Sequence, residues 1–368
     1  MKKIVVLGCT GSIGTSTLDI VRKYPDIFQI VGLTAHSQKQ ELDRLSAEFS
    51  CNNISLTSTD INGVEKVISE SKADLVVNGI AGAAGLYPSV FTLENKIDLA
   101  LANKETIVMA GNLIRSLADK NNCALLPVDS EHSAVFNLIS KYGHDSVDSV
   151  ILTASGGPFR NVPSEELKYK KPSDALKHPT WNMGTKITID SASLANKGLE
   201  VIEACKLFDI SPDKVQVVVH PQSVVHSLIR TKDGVLYAQM SKPDMRHPIL
   251  SALTWPIFTP NYLEPFDIIS GSFENGITLS FFPPRLKDFP MLSLAYDAVK
   301  AGGAYTIAYN AANEVAVAAY LQDKISFTDI SLVTKKTLEH DWSKAAVTFD
   351  EVFLFDSQAR KIASGGIL

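Results

Sequence analysis

"KKIVVLGCTGSIGTSTLDIVRK", residues 2–23, decides the fold. Two lysines lead into the apolar run Ile4–Leu7. At four residues, that run falls short of the roughly 7–15 of a secretion signal and reads as a buried strand. Gly8, Gly11 and Gly14 follow at once, and Thr15–Lys23 is an amphipathic helix. Strand, glycine turn and helix in that order open a βα unit. Glycines let backbone approach a pyrophosphate, and free N–H groups at the helix start favour its charge. The spacing is G-x-x-G-x-x-G, so a tight turn without a ligand is the bland reading, and the strand–turn–helix context favours a dinucleotide.

The same rhythm continues outward. Residues 29–34, 74–78, 98–102 and 123–128 are short apolar strands, and 39–49, 63–71 and 111–119 are helix-prone. Alternation of this kind predicts an α/β architecture with a doubly wound parallel sheet, whose ligands lie beyond the strand carboxyl ends. The second strand ends near Thr34–Ala35. NAD sites usually place an acid there, but this chain has His36, Ser37 and Lys39. No acid would repel a ribose phosphate, so NADP is expected over NAD.

The pattern changes near residue 147. "SVILTAS" is a strand ending in a glycine turn, a polar loop spans 161–182, a helix runs from about 191 to 208, and two further strand segments follow. Asp233–Gly234 marks a hairpin. An α+β domain on an open sheet is expected, then a proline-rich linker and a small helical domain. The expected boundaries are 1–146, 147–254, 255–285 and 286–368.

Composition excludes several classes. A chain of 368 residues with 45% hydrophobic and 20% charged residues is an ordinary globular one. Net charge is −5 with no basic block, which argues against nucleic acid. No apolar run is long enough to span a membrane. The four cysteines are scattered, without a C-x-x-C, and read as reduced thiols.

Two acids, Asp129 and Glu131, end one strand; Asn103, Lys104 and Glu105 end the one before it. Asp129 and Glu131 two apart on an extended chain would point the same way and repel each other. In "TIDSASLANKGLEVIEA", 188–204, Asp190 or Ser191 is the expected N-cap. Ser193, Asn196, Lys197 and Glu200 then share one helix face. Asp129, Glu131 and Glu200 without arginine suit Mg²⁺ or Mn²⁺. The bland readings are helix-start acids and an intrahelical Lys197–Glu200 pair. Gly198 in mid-helix suggests a close neighbour. Ser155, Ser191, Asn196 and Lys197 suit a phosphate monoester. Trp181 and Met183, in a loop flanked by proline and glycine, are either a core plug or a lid. His220 and His226 on strands read as structural.

In order along the chain, "GCTGSIG", "NGIAGAAGL", "LANKE", "PVDSEHSA", "TASGGPFR", "HPTWNMG", "DSASLANKGLE", "HPQSVVHS" and "PDMRHPI" resemble the motifs of the 1-deoxy-D-xylulose 5-phosphate reductoisomerases. The C-terminal "NAANEVAVAAYL" matches in type. The resemblance implies a homodimer with a Rossmann-type NADPH domain, a catalytic and dimerisation domain and a C-terminal helical domain. It implies conversion of 1-deoxy-D-xylulose 5-phosphate to 2-C-methyl-D-erythritol 4-phosphate: isomerisation, then hydride reduction. Metal ligands by resemblance are Asp129, Glu131 and Glu200. Substrate contacts are Ser130, Glu131, Ser155, His178, Ser191, Asn196, Lys197 and Glu200. Lys104 belongs to the catalytic centre, and Trp181 and Met183 to the flap. NADPH contacts are Thr10, Gly11, Ser12, Ile13, Asn103, Glu105 and Gly184. One departure falls at the adenosine end, where His36, Ser37 and Gln38 replace a small glycine-containing turn. No plastid-type leader is recognised, so a bacterial cytoplasmic protein is expected. The residues themselves leave open an NADP dehydrogenase without rearrangement and a non-enzymatic NADP-binding sensor.

Overall fold

The computed structural model describes residues 1–177, 181, 183–269 and 277–367. The chain forms two compact units. One comprises Met1–Thr106, Asn112–Ser133 and Asp244–Glu264; the other comprises Ile107–Gly111, Ala134–Pro243 and Pro265–Leu368.

The first unit is built on strands β1 (Lys2–Leu7), β2 (Phe28–Ala35), β3 (Ile54–Leu56), β4 (Leu75–Asn78), β5 (Asp98–Leu101) and β6 (Leu125–Pro127). All pairs are parallel, in the order β3-β2-β1-β4-β5-β6. The doubly wound expectation holds. Ile4–Leu7 are fully buried, as a strand covered on both faces requires. Helices α1 (Ser12–Lys23), α2 (Lys39–Glu48), α3 (Gly63–Ser71) and α4 (Leu86–Glu94) make the connections. Strand order reverses beside β1, so the turns after β1 and β4 flank the switch point. Gly8 has φ +76°, and a Cβ on Gly14 would lie 2.4 Å from the Gly8 carbonyl oxygen. The first turn of α1 therefore lies directly on the glycine turn.

Helix α5 (Lys104–Asn121) starts at Lys104, not at Gly111 as expected, because Asn103 caps it by accepting the Thr106 N–H. It is interrupted at Ala110 (φ −133°, ψ 22°). Helix α6 (Ser130–Tyr142) starts directly after Asp129. Asp129 and Glu131 thus flank a helix start; they do not alternate along a strand.

The second unit holds β7 (Val147–Ala154), short helix α7 (Pro172–Ala175), α8 (Thr185–Ser193), α9 (Ala195–Phe208), β8 (Val215–Val219), β9 (Val225–Thr231) and β10 (Leu236–Met240). The sheet order is β10-β9-β7-β8. The expected hairpin is present, with Gly234 at φ +87°. The segment expected to be loop carries a 3₁₀ turn, Ser164–Tyr169, besides α7. The single helix expected over 191–208 is two. Leu194 adopts φ +60° between them, so neither Asp190 nor Ser191 is an N-cap; both belong to the last turns of α8. Left-handed backbone at a leucine costs ~1–2 kcal/mol, and burial of its side chain, 3% exposed, offsets that.

Helix α10 (Arg246–Thr254) returns to the first unit; α11 (Met291–Ala301), α12 (Tyr305–Leu321), α13 (Asp329–Leu338) and α14 (Phe349–Gly365) belong to the second. The described part of 255–285 contains no helix, and Phe282 makes one isolated bridge to Val219.

Gly198 meets the close neighbour its position suggested. A Cβ there would lie 2.5 Å from Tyr309 Oη of α12 and 2.8 Å from Ala295 Cβ of α11. Gly198→Ala should lower stability by about 1–3 kcal/mol in urea unfolding, despite alanine's better helix propensity. A stabilised variant would refute this packing.

Lys206 reaches from α9 to the α5 break, donating to the Val108 carbonyl and Thr306 Oγ1, each at 2.7 Å. Burial pushes its ammonium down from 10.5 to about 7. Between those values the unfolded chain binds the extra proton. Its contribution to stability is full above the unfolded value and is lost as pH falls through the folded one. From about pH 9 to about pH 6, the protein should lose about 1–3 kcal/mol relative to Lys206→Met, read by urea unfolding at each pH.

Candidate active site

The residues expected at the dinucleotide's pyrophosphate and adenosine end lie in the first unit. Gly11 and Ser12 are exposed, and Thr10 and Ile13 are half-buried. Gly11 is the N-cap of α1 and supplies no side-chain cap. The first N–H groups of α1 are therefore open to an anion. His36, Ser37 and Gln38 are exposed at the end of β2. His36 Nδ1 lies 3.1 Å from Thr57 Oγ1, and Lys39 pairs with Asp43 at 2.9 Å. Glu41, the first acid after β2, is engaged by Arg44 at 2.6 Å. This surface fits NADPH, with a glycine cradle for the pyrophosphate and neutral or basic side chains for a ribose phosphate.

Asn103 is 2% exposed and holds the loop after β4, donating to the Ile80 and Gly82 carbonyls at 2.7 and 2.8 Å. It also donates to Glu105 Oε2 at 3.2 Å.

Asp129 lies beyond β6. Its Oδ1 accepts from the N–H of Glu131 (3.1 Å) and of His132 (3.2 Å), and lies 2.9 Å from His132 Nδ1. Its Oδ2 accepts from Lys104 Nζ at 2.8 Å. Burial pushes this carboxyl up. The Lys104 charge, then the His132 hydrogen bond, outweigh burial and hold it well below the usual carboxylate range. The bland reading was right as far as it went: Asp129 caps α6, and Glu131 sits in its first turn. The repulsion between the two acids is met by Lys104 and His132. His132, fully buried, was not singled out by the sequence reading; the D-x-x-H spacing before a helix was its signal. Ser130 Oγ donates to Glu131 Oε2 at 2.5 Å.

The other candidate residues lie in the second unit. Ser155 ends β7 in a turn through Gly156 (φ +84°) and Gly157 (φ +67°). A Cβ on Gly157 would lie 2.5 Å from the Ser191 carbonyl oxygen, so this turn rests on the end of α8. Beyond the Leu194 break, α9 presents its first turn. Asn196 donates to Glu200 Oε1 at 2.6 Å, and Lys197 donates to Glu200 Oε2. The intrahelical pair exists, but it is buried, not solvated: Glu200 is 0% and Lys197 3% exposed. Ser193 is separated from that face by the break and bonds back to the Ile189 carbonyl at 3.2 Å.

Trp181 lies beside His226, with ring centroids 6.5 Å apart. Met183 is half-buried, and Gly184 is the N-cap of α8. His178 lies outside the described residues. His220 bonds the Ser280 carbonyl at 2.9 Å, and His226 bonds Ser241 Oγ at 2.7 Å, in keeping with structural roles.

Among the described residues, Asp129, Glu131 and Glu200 are the acids that could hold a metal ion. An all-carboxylate donor set fits Mg²⁺ or Mn²⁺.

Three family models match. "1-Deoxy-D-xylulose 5-phosphate reductoisomerase" covers residues 4–61 and 58–111, its C-terminal domain model covers 125–208, and "DXP reductoisomerase C-terminal domain" covers 240–362. A 1-deoxy-D-xylulose 5-phosphate reductoisomerase from Treponema denticola is 48% identical, over 100% of this chain and 97% of its own. One from Prosthecochloris aestuarii is 45% identical, over 99% of each chain. Among solved structures, the reductoisomerase from Zymomonas mobilis in complex with NADPH matches with TM-score 0.90 and 36% identity, over 100% of this chain and 99% of that one. DOX-P reductoisomerase in complex with NADPH, fosmidomycin and magnesium matches with TM-score 0.91 and 35% identity, over 100% and 98%.

Lys104 is the largest force lowering the Asp129 carboxyl. In metal-free Lys104→Met, carboxyl-carbon NMR should show Asp129 titrating at higher pH than in the unaltered protein. An unmoved midpoint would refute that electrostatic assignment.

Proposed function

The chain belongs to the 1-deoxy-D-xylulose 5-phosphate reductoisomerase family, and from that premise we propose that it converts 1-deoxy-D-xylulose 5-phosphate to 2-C-methyl-D-erythritol 4-phosphate, using NADPH and a divalent cation. The glycine turn, Thr10 to Ile13, takes the pyrophosphate. His36, Ser37 and Gln38 take the ribose-phosphate end; Asn103, Glu105 and Gly184 complete the NADPH contacts. Asp129, Glu131 and Glu200 would hold Mg²⁺ or Mn²⁺. When bound, the cation supplies Lewis-acid stabilisation of negative charge on substrate oxygens.

The chain's own side chains do the rest. Lys104 keeps Asp129 ionised and adds positive charge. Ser155, His178, Ser191, Asn196 and Lys197 grip the phosphate, and Ser130 orients the sugar. Binding energy from the phosphate, remote from the reacting carbons, goes into orientation. Trp181 and Met183 close over the substrate and exclude water. A homodimer through the open sheet, whose edge strand β10 exposes Leu236, and a place in the bacterial cytoplasm complete the proposal.

The observation that carries the reading is α9. Its only acid near the N-terminus, Glu200, is wholly buried, and two donors of the type that binds phosphate are on its oxygens. A mere solvated helix face does not bury a carboxylate.

The test is NADPH oxidation with 1-deoxy-D-xylulose 5-phosphate, with and without Mn²⁺, followed by NMR of the product. A branched polyol phosphate formed only with the cation is expected. An unbranched product would establish a simple dehydrogenase instead. Glu200→Gln should lower activity at least about a hundredfold; unchanged activity would refute the ligand assignment.

A further inference from the structure

Helix α12 lies far along the chain from every residue assigned above, yet it touches both helices that meet at Leu194. Tyr309 faces Gly198 of α9, where an added Cβ would lie 2.5 Å from its hydroxyl. One turn on, Asn313 Nδ2 donates to Asp190 Oδ1 of α8 at 2.8 Å. The other oxygen of Asp190 pairs with Lys186 at 2.9 Å. Asn313 is 0% and Asp190 1% exposed.

We propose that Asn313 is a positioning residue: by holding Asp190 it fixes the direction of Ser191 and the entry to α9, and so the phosphate grip. This rests on the reading of Ser191, Asn196 and Lys197 as that grip. Successive side chains on a helix are about 100° apart. Turning Asp190 to α12 therefore turns Ser191 to a set direction away from it. The Gly157 turn, packed against the Ser191 carbonyl, bounds that side.

Asn313 Oδ1 is buried and has no hydrogen-bond partner among the described residues. Leaving an acceptor so placed is unfavourable; an apolar residue would avoid that but would take a donor from the buried Asp190 carboxylate. Among the described residues, what the amide supplies is its bond to Asp190.

The experiment measures kcat, both KM values and thermal unfolding for the Mn²⁺-loaded, NADPH-dependent reaction. Asn313→Ala should raise KM for the sugar phosphate by about tenfold, which is 1.4 kcal/mol of binding. KM for NADPH should stay within about twofold and kcat within about threefold. Asn313→Asp sets two carboxylates face to face and should be worse. The exchange Asp190→Asn with Asn313→Asp restores one amide facing one carboxylate, and should recover most of the sugar-phosphate KM. Packing alone would not be rescued by that exchange.

An unchanged KM in Asn313→Ala overturns the proposal, as does an exchange no better than Asn313→Asp. If Asn313→Ala does not fold, the comparison of Asn313→Asp with the exchange decides. Ser191→Ala separates the two levels. A raised KM there with an unaffected Asn313→Ala leaves the grip standing and removes Asn313 from it. An unchanged KM in Ser191→Ala removes the grip, and the proposal with it.

Discussion

Asp129 is ionised where it stands because Lys104 is there. A buried charge left uncompensated costs several kcal/mol. Here one oxygen faces an ammonium at 2.8 Å, and the other faces two backbone N–H groups and an imidazole. The bond also has a mechanical side. Lys104 is the first residue of α5 and Asp129 immediately precedes α6. Their pairing ties two helix starts, and so the carboxyl ends of β5 and β6, to one point. One acid serves as cap, ion-pair partner and proposed metal ligand, and each role constrains the same two oxygens.

The second unit answers a similar problem differently. Glu200 is held by its own helix: Asn196 and Lys197 lie one turn before it and donate to its two oxygens. A buried polar network of this kind rigidifies its members when satisfied. Its placement follows the break at Leu194, where α8 ends and α9 begins. Close approach of α11 and α12 at Gly198 then holds α9 from the far side.

Much of this was legible in the sequence. The glycine turn, the parallel alternation and the Asp233–Gly234 hairpin are local signals, and each appears where expected. The polar residues of α9 were legible because Asn196, Lys197 and Glu200 recur at helical spacing. The break before them was not, because leucine carries no local preference for φ above zero and only packing imposes it. Strand β3, three residues long, is too short for periodicity to detect. The start of α5 was missed because Asn103-Lys104-Glu105 reads equally as a strand end and as a cap with its first turn. Asn313 gave no signal: it sits in an alanine-rich helix, and its partner is 123 positions away.

The α9 trio has a consequence for inhibitor resistance. Replacing Asn196, Lys197 or Glu200 singly strips a hydrogen bond from a neighbour that water reaches poorly or not at all. A compound that anchors on these three therefore contacts positions with few viable escape mutations. Tolerance should concentrate instead at solvent-facing positions such as 37 and 38.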